Sequence, residues 1–442
     1  MRMLERLFKL ESHGTSLKTE IVAGVTTFMT LSYILFVQPT VLSACGMDFS
    51  AVLAATCIAS ALATFLMGLY ANYPIALAPG MGQNFFFAYT VVLQMGISWE
   101  KALGAVFLSG VLFLILSFFG FREKVIDGIP ESLKEAIAVG IGLFIALVGF
   151  QWAGIVVGSA GTMVALGNLT STPVLLAIFG LFLTIVLMVR RVRGAILWGI
   201  LGTAVCGLPL GVVRYHGVVG PVPSIAPTFM KLDVAGAFDL GLVSVVFIFF
   251  FLALFDSVGT LIGVSSQAGL LVGGKLPRAK QALTADAFGS VSGAVLGTST
   301  VTAYVESAAG VAEGGRTGLA NFVTGGLMLL SLFLHPLSRM IGEGYPTAGG
   351  ARLYPVVAPA LIIIGSLMLK NVSRIRWNDS TEAIPAFLTM VLMPFSFSIT
   401  EGISFGFVSY ALLKLVSGRW REGHWIVYIF AVLFLLRYAL LK

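Results

Sequence analysis

The chain has 442 residues, of which 58% are hydrophobic and only 11% are Asp, Glu, Lys or Arg, whereas soluble domains carry roughly a quarter charged residues. With a mean hydropathy of +0.98, these values exclude a soluble enzyme, a disordered chain and a nucleic-acid binder. The net charge of +7 therefore points to bilayer topology, in which Lys and Arg gather on one side, rather than to an acidic partner. Cys45, Cys57 and Cys206 have no CxxC spacing and sit in or beside apolar runs, as small buried hydrophobes do. The four histidines form no metal-ligand pattern.

Residues 1–17 form a charged, amphipathic cytoplasmic leader, and the apolar run behind them is too long for a signal peptide. Stretches able to span a bilayer, which need about 20 apolar residues or fewer when broken inside protein, follow at 18–44, 50–70, 75–94, 99–120, 132–154, 172–190 and 194–213. A link at 214–237 carries Pro221, Pro223 and Pro227. The second set is 238–264, 281–298, 299–316, 318–341, 352–370, 382–398 and 401–418, and an extra apolar stretch, 424–441, either spans or lies in the interface. With the N-terminus cytoplasmic, 20 of the 27 Lys and Arg residues fall on the inside, Arg122, Lys124, Lys275 and Lys414 among them. Seven spans in each half force the second half to run inverted, which is the signature of secondary transporters with a site at the midplane. The third stretch (YPIALAPGMGQNFFFAY) and the tenth (LGTSTVTAYVESAAG) occupy corresponding positions, and both interrupt an apolar run with Gly, Pro or Thr. Singly, such a segment serves helix packing through small residues. As a corresponding pair, they suit short extended pieces leading into half-helices.

Ionisable groups within spans mark pathways or relays. Asp256 lies in the middle of FIFFFLALFDSVGTLIGV and Glu306 lies in TSTVTAYVESAAG. A carboxylate taken out of water holds a proton more readily, which suits a proton-coupled carrier. Asn84 ends APGMGQN with both donors and an acceptor, and Gln83 beside it could serve equally. Asp286 falls near the start of the ninth stretch and reads as a cap or pairing group. Glu313 and Arg316 read as cytoplasmic loop charges. P-loop, GxSxG and ATP-binding-cassette patterns are absent, so energy comes from an ion gradient or from the solute's own gradient.

The runs TSLKTEIVAGVTTFMTLSYILFVQP (15–39), APGMGQNFFFAY (78–89), FDSVGTLIGV (255–264), the long stretch 285–319 and AIPAFLTMVLMPFSFSITEGI (383–403) resemble the guanine/hypoxanthine and adenine permeases, relatives of the uracil and xanthine permeases. The resemblance implies fourteen segments in two inverted repeats, a core domain and a gate domain, a homodimer, and proton-coupled uptake of purine bases. The segment-eight pattern of those carriers resembles Asp256-Ser257-Val258-Gly259-Thr260, their segment-ten pattern looks like Thr302-Ala303-Tyr304-Val305-Glu306, and the purine family's Pro-Gly-Met-Gly-x-Asn lies on Pro79 to Asn84. Two positions depart from the pattern. Ala253 stands where many members have a second acid, and Thr260 where the uracil carrier has a His.

The expected molecule is an all-α polytopic membrane protein. It has about 14 transmembrane segments as two inverted seven-segment repeats, extended pieces in segments 3 and 10, and an extra C-terminal helix. Segments 18–120 with 238–341 form the core and 121–237 with 342–418 the gate, followed by a tail at 419–442. The expected activity is import of a purine nucleobase across the inner (plasma) membrane by proton symport with elevator-like alternating access, without a cofactor, sodium remaining an open alternative to the proton. Glu306 accepts from the base, Asn84 reads a second edge, Asp256 carries or gates the proton, and Thr302 and Tyr304 complete the site. The rivals are the same fold carrying uracil, xanthine or an inorganic anion, a passive channel or scaffold, and, last, a membrane enzyme. Two carboxylates at the half-helix ends argue against an anion.

Overall fold

The computed structural model describes residues 2–119, 130–159, 161–238, 240–271, 276–347 and 352–440. Arg122, Lys124, Lys275 and Lys442, and the expected domain boundary at 120–121, lie outside the described residues. An amphipathic helix α1 (Arg2–Phe8) is followed by α2 (Leu17–Leu31) and α3 (Ile34–Ser43). Ser16 starts α2 by accepting from the Thr19 N–H at 3.2 Å. The α2–α3 span, Leu17–Ser43, is interrupted at Ser32–Tyr33, and Tyr33 is buried there. Next comes α4 (Phe49–Leu66), capped by Asp48. A strand β1 (Leu77–Pro79) then leads into the short α5 (Met81–Phe85), which continues as a wider turn to Gln94.

The first half closes with α6 (Trp99–Phe119), α7 (Glu131–Trp152), α8 (Thr172–Val189) and α9 (Ala195–Gly207). A hairpin of β2 (Val156–Ser159) and β3 (Met163–Leu166) between α7 and α8 was not foreseen, because its few exposed residues carry little pattern. The second half contains α10 (Leu240–Gln267), α11 (Ala279–Leu296), β4 (Val301–Ala303), α12 (Ser307–Ala312), α13 (Leu319–Leu330) and α14 (His335–Gly342). It continues through the two-residue strands β5 (Tyr345–Pro346) and β6 (Arg352–Leu353) to α15 (Ala358–Met368), α16 (Ser380–Phe395), α17 (Ile399–Val416) and α18 (Trp425–Leu440). Among the described residues, eight helical segments are long and apolar enough to cross a bilayer, and the third and tenth stretches are broken by strands as expected.

The helices pack in two groups. In one, α2 and α4 lie against α13, while α4 and α6 lie against α11. In the other, α7 packs on α15 and α16, and α16 packs on α17. Small residues bring backbones together in the first group: a Cβ on Gly318 would come 2.1 Å from the Gly68 carbonyl oxygen, so only Gly fits this crossing. Glu20, fully buried, accepts the N–H groups of Arg316 at 2.8 Å, Thr317 at 3.3 Å and Ala320 at 3.2 Å, which fastens α2 to the start of α13. The α1 helix is anchored too, since Asn72 donates to the Phe8 carbonyl at 3.0 Å and Phe8 packs with Leu319 and Phe322. The C-terminal α18 runs antiparallel along α17, with Tyr438 bonded to Glu401 near one end and Phe430 and Phe434 packed on Phe407 further along.

Candidate functional site at the crossed strands

The two broken segments meet at their extended pieces. β1 pairs antiparallel with β4 in the register Leu77–Ala303, Ala78–Thr302 and Pro79–Val301. Two further backbone bonds extend the pair, Gly80 N–H to Thr300 at 2.9 Å and Tyr304 N–H to Ala76 at 3.0 Å. Pro79 cannot donate and lies at a strand end, where no donor is required. From this crossing α5 and α12 lead away in their separate segments, each starting within a few residues of the paired strands. Irregular backbone at membrane depth is tolerated where its polar groups are paired or line a cavity, and here most of them are paired.

Asp256 and Glu306 both lie at this crossing, with Gln83 between the strand pair and α10. Tyr33, from the break in the first span, donates to Glu306 Oε1 at 2.6 Å. Gln83 donates from Nε2 to Asp256 Oδ2 at 3.4 Å. Asp256 is exposed, on the same face of α10 as the exposed Gly259 and Gly263. Glu306 is partly accessible, and Val305 next to it is 61% exposed. Below Asp256, Gly259 and Gly263 border open space, for a Cβ at either would meet no atom within 4 Å.

The remaining expected residues are buried and hydrogen-bonded within the crossing. Thr302 is fully buried and shares a hydrogen bond with Ser257 at 2.8 Å. Tyr304 donates to the Pro79 carbonyl at 2.6 Å and so ties one strand to the other. Asn84, fully buried, donates to the Pro79 carbonyl at 3.4 Å and accepts from Ser299. Behind it, Gln38 donates to Ser299 at 3.0 Å and to Thr298 at 2.9 Å, making a buried polar chain. Asp286 does not cap a helix start, because it lies in the interior of α11. It is a pairing group, accepting from Ser257 and from the Ala303 N–H at 2.8 Å. Glu313 is bonded to Arg193 at 2.7 Å, and Arg316 donates through its guanidinium to the Val311 and Gly315 carbonyls. Tyr33 and Gln38 were given no role in the sequence reading, where only their place in a long apolar run could have drawn attention to them, and Ser257 entered it only as part of the segment-eight pattern. Among the described residues, no group of three His, Cys, Asp or Glu side chains comes together as a metal site.

The sequence and the fold have counterparts among known proteins. The permease family model Xan_ur_permease matches residues 18–412. This chain belongs to that family. It is 53% identical to the putative permease MJ0326 of Methanocaldococcus jannaschii over 100% of this chain and 99% of that one. It is 49% identical to adenine permease AdeP of Escherichia coli, covering 98% and 96% of the two chains. To guanine/hypoxanthine permease PbuG of Bacillus subtilis it is 46% identical, covering 99% and 100%. The permease shares its fold with the transmembrane domain of the cyanobacterial bicarbonate transporter BicA, with a TM-score of 0.63, 14% identity, and 87% and 97% coverage. The structure of SLC26A9 aligns with a TM-score of 0.62, 11% identity, and 94% and 69% coverage. The permease is therefore a multi-pass membrane protein of a transporter fold.

Proposed function

We propose that this permease imports a purine nucleobase together with protons. The observation that carries the proposal is the pair of carboxylates, Asp256 and Glu306, placed by α10 and by the end of β4 at the strand crossing, one exposed and one partly accessible. The names of the adenine and guanine/hypoxanthine permeases above supply the substrate class. A purine is planar and neutral, with N–H donors and ring-nitrogen acceptors along its edges. An ionised carboxylate accepts from two adjacent donors of such an edge. In the proposed roles, Glu306, oriented by Tyr33, receives the N–H groups of the base, and Asp256 carries the proton. Asn84, Thr302 and Tyr304 hold the crossing in register, a change from the expectation that Asn84 reads the base.

The helix groups supply the moving parts. Residues 18–120 with 238–341 act as a core that slides past a gate of 121–237 with 342–418, in an elevator-like exchange of access. The α2, α4, α11 and α13 contacts on one side, and the α7, α15, α16 and α17 contacts on the other, support that division. The protein resides in the inner membrane with its N-terminus cytoplasmic and forms a homodimer. No enzymatic step is required of it.

The test is initial uptake of labelled adenine, hypoxanthine, guanine, xanthine and uracil in cells lacking their own carriers, with and without a protonophore. Accumulation of a purine that the protonophore abolishes is the expected outcome. Uptake of uracil alone, or of no base by protein shown to reach the membrane, would overturn the proposal.

A further inference from the structure

Gln83 is 1% exposed, and its two amide ends are treated differently. Nε2 donates to Asp256 at 3.4 Å, while Oε1 has no hydrogen-bond partner among the described residues. A buried carbonyl oxygen left without a donor costs free energy and calls for a reason. Oε1 lies over the backbone of Gly80, at the start of α5, where a Cβ would come within 2.0 Å of it. Gly80 thus leaves room for this amide at the strand crossing, beside the carboxylate of the proposed proton site. The neighbouring amide of Asn84 is committed to Ser299 and Pro79 and has no such reach.

We propose that Gln83 determines specificity by coupling the proton on Asp256 to the edge of the purine that the site accepts. The inference rests on the purine-transport reading above. A side-chain amide can turn about its last bond and exchange donor for acceptor. With Asp256 ionised, the NH2 group donates to the carboxylate, and Oε1, which lies covered over Gly80 in this structure, becomes the acceptor for a base bound at the crossing. Oε1 then accepts from a donor at ring position 6, such as the amino group of a 6-aminopurine. With Asp256 protonated, its O–H donates to Oε1, and the NH2 group is offered instead. It then donates to an acceptor at the same position, such as the oxygen of a 6-oxopurine. No bond is made or broken beyond the transfer of one proton to the carboxylate. The other titratable groups facing Asp256 are Asp286 on α11 and Glu306 and Tyr304 after β4. Asp286 is held by Ser257 and Ala303, Glu306 by Tyr33, and Tyr304 by Pro79, so each has its own partner. Of these groups, the Asp256–Gln83 pair carries the acceptor without a partner.

The experiment measures half-saturation and maximal uptake of adenine and hypoxanthine between pH 5.5 and 8 for the wild type and for Gln83→Leu, Gln83→Asn and Asp256→Asn, normalised to protein in the membrane. In the wild type, the preference for hypoxanthine over adenine rises as pH falls. Gln83→Leu weakens apparent affinity about tenfold, as expected for one lost ligand hydrogen bond, and makes the adenine-to-hypoxanthine ratio independent of pH. Gln83→Asn, one methylene too short to span the two partners, flattens the ratio as well and decides the matter if the leucine variant does not reach the membrane. Asp256→Asn, which cannot change its charge, also fixes the ratio. A purely structural Gln83 would lower uptake of both bases without altering the pH dependence of their ratio, and that result, or a wild-type ratio in Gln83→Leu, overturns the inference. Failure of the wild type to accumulate any purine would instead count against the transport reading.

Discussion

Three carboxylates stand within or beside the strand crossing, and their partners separate their roles. Asp286 receives two hydrogen bonds, from Ser257 and the Ala303 N–H, and is fully buried. Glu306 receives one from Tyr33 and is partly open, and Asp256 receives a long one from Gln83 and is exposed. Satisfied groups hold structure, and under-satisfied ones are available to a ligand or a proton. Asp286→Ala should therefore lower the stability of the purified protein by about 2–3 kcal/mol, the scale of hydrogen bonds to a charged group, read as a fall in its melting temperature. Glu306→Gln should leave the melting temperature within a few degrees and raise the half-saturation concentration for purine at least about tenfold. Equal loss of stability in the two variants would contradict this division. Asp256 and Glu306 were legible in the sequence because charge inside an apolar span is rare enough to stand out. Which of Gln83 and Asn84 turns toward Asp256 was not legible. Successive residues point about 100° apart on a helix, and the five-residue α5 has no repeating apolar stripe to fix its phase.

Among the helices, the spans were readable from runs of apolar residues, while the caps that fix some of their starts, Ser16, Asp48 and Ser398, emerge only from the structure. The stretch 424–441 was ambiguous from composition alone, and packing resolves its course: α18 lies antiparallel against α17, and Phe430 meets Phe251 of α10 edge to face at 4.4 Å. Where the chain turns from α17 into α18, Lys414 is only 1% exposed and is paired with Glu422 at 2.9 Å and Glu382 at 3.1 Å, while Arg419 bonds Asp379 and Glu422. Hydrogen bonds from Arg419 hold the Asp379 carboxyl well below its ordinary range, and with Lys414 they bring Glu422 down to about 2. Because these folded-state values are depressed, the stabilisation is present above the ordinary carboxylate range and is lost as pH falls through the folded values. Arg419→Ala should therefore lower the melting temperature equally at pH 6 and pH 8, with the difference from wild type shrinking below about pH 4. A difference that grew on acidification would contradict this assignment.

For the whole molecule, the two sides of the crossing are unlike. Toward the side bearing α1 and Arg278, α10 presents Asp256, Gly259, Gly263 and Gln267 along one accessible stripe. On the opposite side, Phe85 and Tyr89 of the third segment meet Phe144, Trp152 and Phe397, and Trp152 donates to the Tyr89 hydroxyl at 3.0 Å. Accessible positions thus lie on one side of the crossing and packed aromatic rings on the other. The expectation of inverted halves rests on an odd number of apolar stretches on each side of the Pro-bearing link. The aromatic packing could not be foreseen, because 34 Phe residues leave no way to tell a sealing ring from a lipid-facing one without coordinates. The most direct test of proton-coupled purine import is proton movement in liposomes containing the purified protein and an internal pH dye. Adding the transported purine outside, without an imposed gradient, should acidify the interior in the wild type and leave it unchanged in Asp256→Asn. Purine entry with no accompanying acidification would contradict proton symport and leave Asp256 without its proposed task.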